Sequence, residues 1–390
     1  IHAATMVTAG VYLVARSAPL YELVPLAQNV VTWVGALTAI FAATIAVGQN
    51  DIKKVLAYST ISQLGFMVAA VGMGAFVAGI FHLTTHAFFK ALLFLSAGSV
   101  ILGMEHGAEH GSHGHGHSSE DPQDMRNMGG LRKQMPVTFW VYLAGALALA
   151  GVAPLAGFFS KDEILTAASH FNPAVFILLI LAAFLTAFYM GRQVLMIFFG
   201  GPRTNSAKHA AESPAVVTIP LVILAILSVL GGGLNLPGIH TLGHWLEHTF
   251  HKPEEAHFVW AIAAGSLAVA LLGILIAWLI YGRKPQTKAS TKDPLALRLG
   301  AAYTGMENKW WVDELYQAVI IRPLEKLADF LTHPVDLGVI DGIGNGLGNL
   351  TRSLSVWWGR LQTGYVRTYA LSILFGVVAV FAYVAYLALR

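Results

Sequence analysis

The sequence contains no cysteine, so disulfides, thiolate zinc sites and cysteine-held iron–sulfur clusters are excluded. Charge is scarce as well. Asp, Glu, Lys and Arg make up 12% of the 390 residues, against about 25% in a soluble domain. That excludes an ordinary soluble globule. The chain carries no nucleotide fingerprint and no flavin motif. The net charge is only +3 and the basic residues scatter through loops, so nothing resembles a nucleic-acid footprint. Apolar residues are what is abundant, at 56%, in runs long enough to cross a bilayer. The chain reads as an all-α polytopic membrane protein. It opens inside a helix-like segment, 1–15, with no initiator methionine and no signal peptide, and so reads as a fragment lacking its N-terminal part.

Apolar runs predict helices over about 1–15, 26–48, 52–72, 75–104, 136–170, 173–199, 214–235, 258–281 and 365–388. One set of alternate loops holds Lys53, Lys54, Arg126, Arg132, Lys133, Arg203, Lys208 and Arg283. The opposite set holds little beyond Arg16 and Lys252. Positive charge stays on the side of synthesis, which places the first set in the cytoplasm or the equivalent compartment.

Within the run 75–104 lie His82, His86 and Lys90. Their four-residue spacing drifts by about 40° per step, so all three share one stripe of one helix. Titratable groups at membrane depth are costly and need partners, water or a function. The functional reading is a proton path, for which histidine suits because its unperturbed pKa is ~6.5. The plain alternative is a set of hydrogen bonds between packed helices. The facing candidate is 52–72, the most polar span, with Tyr58, Ser59, Ser62 and Gln63. Lys53, at its start, is a weaker candidate for the same path.

The run 136–170 is too long for one span and contains GVAPLAG at 151–157. Proline removes a donor and glycine loosens the helix, so a break is predicted there. Broken helices at membrane depth face protein or water. Lys161, Asp162 and Glu163 follow the break. They read either as part of an ion path or as an interfacial helix end with a snorkelling lysine.

Two histidine groups remain. EHGAEHGSHGHGH at 105–117 intersperses five histidines with glycines and encodes no fixed coordination geometry. His240, His244, His248 and His251 suggest a short surface helix. No metal or other cofactor is assigned to either. Residues 288–364 are amphipathic at helical spacing, with Trp pairs at 310–311 and 357–358. They predict a long helix along the membrane surface, kinked or interrupted at Pro323, Pro334 and the glycines of 338–348, with 365–390 returning as a C-terminal transmembrane anchor. Residues 1–287 form the bundle.

Taken together these motifs resemble the L-type antiporter-like membrane subunits of respiratory complex I. The likeness rests on IHAATMVTAGVYL (1–13), DIKKVLAYSTISQLGF (51–66), FHLTTHAFFKALLFLSAGSV (81–100), MGGLRK (128–133), AGFFSKDEI (156–164) and TGYVRTYA (363–370). It implies an antiporter-like helix bundle with a broken helix, a long lateral amphipathic helix and a terminal anchor. It implies proton translocation driven by redox chemistry on other membrane-bound subunits, with lipid, protons and internal water as the further partners. His82 and His86 match the family's central histidines and Lys90 the lysine beside them. Lys161 matches the lysine of the broken helix, with Asp162 next to it expected to stabilise its charged form, and His2 the histidine linking the half-channels. The family's upstream Glu–Lys pair has no counterpart here. The large subunit of a multi-subunit sodium/proton antiporter is the nearest alternative, but that family usually carries lysine where this chain has Thr8. A transition-metal carrier and an inert scaffold are the readings from other classes.

Overall fold

The computed structural model describes residues 6–111, 120–250 and 258–390. Among them there is no strand, and seven helices are long and apolar enough to cross a membrane. Proline and short polar side chains set the helix starts. Pro25, Pro136 and Pro173 open helices at the position where a missing N–H costs nothing. Asp51 and Asn172 cap the backbone N–H groups that follow them, with Asp51 Oδ1 2.7 Å from the Lys53 nitrogen.

The elements run α1 (Ala9–Arg16), α2 (Pro25–Gly48), α3 (Ile52–Gly72), α4 (Phe76–Gly111), α5 (Pro136–Ala150), α6 (Ala156–Phe171), α7 (Pro173–Phe198), α8 (Ala215–Leu230), α9 (Trp260–Ala277) and α10 (Val366–Ala388). Two compact units result, Ile1–Trp311 and Val312–Arg390.

In the first unit, α2 and α3 pack with almost no side chain between them. A Cβ on Gly35 would lie 2.4 Å from the Ala69 nitrogen, and one on Gly65 2.5 Å from the Ala39 nitrogen. Ser62 Oγ donates to the Ala39 carbonyl across the seam at 2.8 Å. Lipid supplies no hydrophobic drive between helices, so close backbone approach and such hydrogen bonds hold them.

The predicted break in 136–170 is present. α5 ends at Ala150, Gly151 turns left-handed at φ +82°, and α6 begins at Ala156. Gly151 and Val152 donate back to Ala148 and Leu147, a left-handed helix stop that leaves the Leu149 carbonyl free of the ladder. The start of α6 meets the end of α5 so tightly that a Cβ on Gly157 would fall 1.9 Å from the Ala148 oxygen.

One end of the bundle is tied by two arginines. Arg203 donates to the carbonyls of Met125, Met196 and Gln286. Burial lowers its guanidinium to about 10, opposed by nearby Asp124. Arg192, 1% exposed, donates to the Gln49 carbonyl, Asn50 Oδ1, Tyr281 Oη and Asp293 Oδ2 at 2.6–3.0 Å. Tyr281 donates to the second Asp293 oxygen at 2.6 Å. The side chain of Gln49 donates to the carbonyls of Met306 and Glu307.

These bonds correct the expected boundary of the amphipathic arm. Residues 294–307 form two short helices packed on the bundle, and Lys309–Trp311 break the chain direction with φ near +54°. In the second unit the backbone is helical from Val312 to Gly359, alternating α and wide π turns. At 1.5 Å per residue that is about 70 Å. The helix is not interrupted at Pro323, Pro334 or the glycines, though π turns depart from regular α geometry at both prolines. Pro323 follows one π turn and Pro334 lies inside another, where the wider turn relieves the clash that proline imposes on an α-helix. No residue of 312–390 is buried within this chain, including the apolar α10.

Two outcomes test this packing. Asp293→Leu strands the Arg192 charge, and unfolding in detergent followed by tryptophan fluorescence should show a loss of about 3–5 kcal/mol. Burial raises the Asp293 carboxyl, but Arg192 and its hydrogen bonds outweigh this and hold it below the usual range. The contribution is therefore present above pH ~4 and lost as pH falls through the folded value. The wild type should lose this stability on acidification and the leucine variant should not. Gly157→Ala should destabilise by about 1–3 kcal/mol through the forced contact with Ala148, read as a lower melting temperature.

Candidate functional site

The stripe on α4 turns fully inward. His82, His86 and Lys90 are each 0% exposed. Three other helices complete their surroundings: α3 with Ser59 and Gln63, α6 with Ser160 and Lys161, and α7 with Thr186 and Tyr189.

Lys90 Nζ donates to the Leu56 carbonyl at 3.1 Å and to Ser59 Oγ. The same carbonyl accepts from the Ser59 and Thr60 hydroxyls at 2.8 and 2.9 Å. The ammonium also lies 5.9 Å from the Phe94 ring centre. Lys161 Nζ donates to the Leu149 carbonyl, the group released by the helix break, and lies 5.7 Å from the Phe66 ring. Each lysine thus takes a backbone oxygen and an aromatic face in place of bulk water.

Between them, His82 is bonded at both nitrogens, to Ser160 Oγ at 2.8 Å and Gln63 Oε1 at 3.1 Å. Thr85 donates to Ser160 at 2.9 Å. Neither ring nitrogen of His86 has a hydrogen-bond partner in the protein; the ring stands edge-on to Phe89 at 5.3 Å and 6.1 Å from His82. Ser160, the residue before Lys161, thus joins α6 directly to His82 and Thr85. The break therefore brings α6 to the α4 stripe, as the sequence pattern anticipates.

Other candidates lie elsewhere. Asp162 is 1% exposed, but no ion pair joins it to Lys161. This corrects the expectation that it stabilises the Lys161 charge. Consecutive helical residues diverge by about 100°, and Asp162 lines a small cavity with Glu163, Thr166, Asn235 and His240. Glu163 accepts from Asn235 at 2.7 Å there. Lys53 is exposed at the start of α3 and does not reach the stripe. His2 lies outside the described residues, as do most of the histidine-rich loop and His251. Among the described residues no group of three or more His, Asp or Glu is placed to hold a metal ion.

Sequence reasoning missed Ser160, Thr186, Tyr189 and Arg192. A single hydroxyl in an apolar helix carries no periodic signal. The signal available for Arg192 was its position, an arginine within an apolar run six residues before the helix end.

The chain can now be set beside known proteins. The model of the NADH:quinone oxidoreductase/Mrp antiporter transmembrane family matches residues 1–186. NAD(P)H-quinone oxidoreductase chain 5 of Picosynechococcus sp. is 42% identical over 97% of this chain and 59% of its own length. NADH-quinone oxidoreductase subunit L of Mycobacterium tuberculosis is 42% identical over 98% of this chain and 58% of its own. The chain thus spans about three fifths of these relatives. The structure of the Mrp complex from Dietzia sp. DQ12-45-1b aligns with all of this chain and 37% of that one, at 26% identity and a TM-score of 0.60. The motifs, the broken helix, the buried lysine–histidine line and these likenesses agree: the chain is a multi-pass membrane protein similar to the NADH:quinone oxidoreductase/Mrp antiporter family.

Proposed function

We propose that this chain translocates protons as a membrane subunit of an NADH:quinone oxidoreductase. The observation that carries the reading is the pair of buried lysines, Lys90 and Lys161, separated by two histidines and held by backbone carbonyls rather than by carboxylates. A lysine locked to a carboxylate keeps its proton. One held by a carbonyl and a hydroxyl can give it up and retake it. Protons hop between Lys90 and Lys161 through His82, Ser160 and water beside His86, whose two nitrogens have no protein partner. Charge on one lysine disfavours charge on the other, so a change in field from outside decides which one is protonated. The redox chemistry that supplies that field sits on other subunits in this reading. The helical run Val312–Gly359, with its apolar and charged residues at helical spacing, would lie along neighbouring membrane subunits, and α10 would anchor it. The relatives' names support this assembly, and bacterial examples among them support an inner-membrane location.

The Mrp likeness supports a second reading, the large subunit of a sodium/proton antiporter. The two readings predict different responses in sealed vesicles of the assembled complex. With NADH and quinone supplied, interior acidification that persists without sodium supports the first. Proton movement that requires a sodium gradient and ignores NADH supports the second.

Lys90→Ala and Lys161→Met should each slow proton transfer by roughly tenfold or more while the complex still assembles. Pumping by either variant at the wild-type rate would remove that lysine from the path. Lys53→Ala should leave the rate unchanged, because its side chain lies at the surface.

A further inference from the structure

The hydrogen bonds around Gln63 can be read as a sequence of forced choices. Thr186 Oγ1 donates its one proton to the Ala182 carbonyl at 2.7 Å. It can then only accept from its other neighbours. Tyr189 Oη donates to it at 3.4 Å, and Gln63 Nε2 at 3.5 Å. A carboxamide has its donor and acceptor on opposite sides, so turning the nitrogen toward Thr186 turns the oxygen away from it. That oxygen lies 3.1 Å from His82 Nε2. An oxygen there can only accept, so Nε2 must carry the hydrogen.

A neutral imidazole carries one such hydrogen. His82 Nδ1 is thereby left with a free lone pair. It lies 2.8 Å from Ser160 Oγ. Ser160 in turn accepts from Thr85 at 2.9 Å, so its own proton is available for Nδ1; its other acceptor, the Ala156 carbonyl, is more distant at 3.3 Å. Every group in the set Thr186, Gln63, His82, Ser160 and Thr85 is buried. No bulk water competes for these bonds, and the choice made at Thr186 propagates to the far side of the ring.

We infer that Gln63 is a positioning residue that holds His82 as its Nε2–H tautomer and aims the basic Nδ1 at Ser160, the residue before Lys161. The inference rests on the proton path proposed above. It specifies where that path enters the ring. A proton arriving at Ser160 Oγ from the Lys161 side displaces the hydroxyl proton onto Nδ1. The hydroxyl is restored, the imidazole becomes a cation, and one proton has moved. The ring keeps its Nε2 hydrogen on Gln63 throughout. His86, with no such partner, has no tautomer imposed on it by the protein.

The test reads the tautomer directly. The full chain in its native complex is reconstituted in lipid with 15N-labelled histidine, and His82 is assigned by difference from His82→Asn. The wild type should show one neutral form, protonated at Nε2. Gln63→Leu removes the acceptor and should reduce the Nε2–H share at least twofold, with Nδ1–H appearing. Gln63→Glu retains an acceptor at that position and should keep Nε2–H dominant. Thr186→Val leaves Gln63 in place but frees its amide to turn, and should give a mixture; it decides the matter if Gln63→Leu does not fold. A wild-type signal for Nδ1–H would overturn the inference. So would an unchanged tautomer in whichever of Gln63→Leu and Thr186→Val folds. The spectrum needs no turnover. Wild-type vesicles that fail to acidify would refute the proton path and leave the tautomer result standing, so the two failures are distinct.

Discussion

An ammonium group at membrane depth must find its solvation inside the protein, and this constraint organises the bundle. Lys90 and Lys161 meet it in the same way, with a backbone carbonyl and an aromatic ring. Backbone carbonyls inside a helix are already occupied by the ladder. For Lys161 the solution is the break itself, since Gly151 ends α5 and leaves the Leu149 oxygen available. For Lys90 it is a crowded carbonyl, Leu56, that also accepts from two hydroxyls of its own helix. Neither lysine has a carboxylate partner, so neither proton is fixed by a strong ion pair.

That arrangement explains why α6 packs as it does. The close contact at Gly157 seats the start of α6 against the end of α5, and the next residues, Ser160 and Lys161, then reach His82 and Leu149. Local backbone geometry, helix packing and the polar line are one structure. Moving the break by a residue would rotate Ser160 and Lys161 by about 100° and separate both from their partners.

The strong ion pair of the bundle lies away from this line. Arg192 and Asp293 are both buried, and they bind the α2–α3 turn to the segment after α9. A buried pair resists the loss of either member far more than it adds over an apolar substitute. Its effect here is to fix position: residues 294–307 are drawn onto the bundle.

Much of this was legible in the sequence, because much of it is local. The four-residue spacing of His82, His86 and Lys90 defines a stripe on any helix that contains them. GVAPLAG combines proline and glycine, which locally disfavour a continuous helix, and apolar run lengths define spans. The family motifs added the likeness to proton-translocating subunits. What the sequence could not supply were the partners drawn from distant elements. Asp162 neighbours Lys161 in the chain but not in the fold, because a helix turns adjacent side chains apart. Gln63, Thr186 and Ser160 come from three helices, and only their packing sets the direction of each hydrogen bond. Arg192 shows no periodic pattern, and its meaning appears when Asp293 folds back a hundred residues later. Spacing along one element is determined by covalent geometry; which groups meet across elements is decided by the packing of the whole bundle.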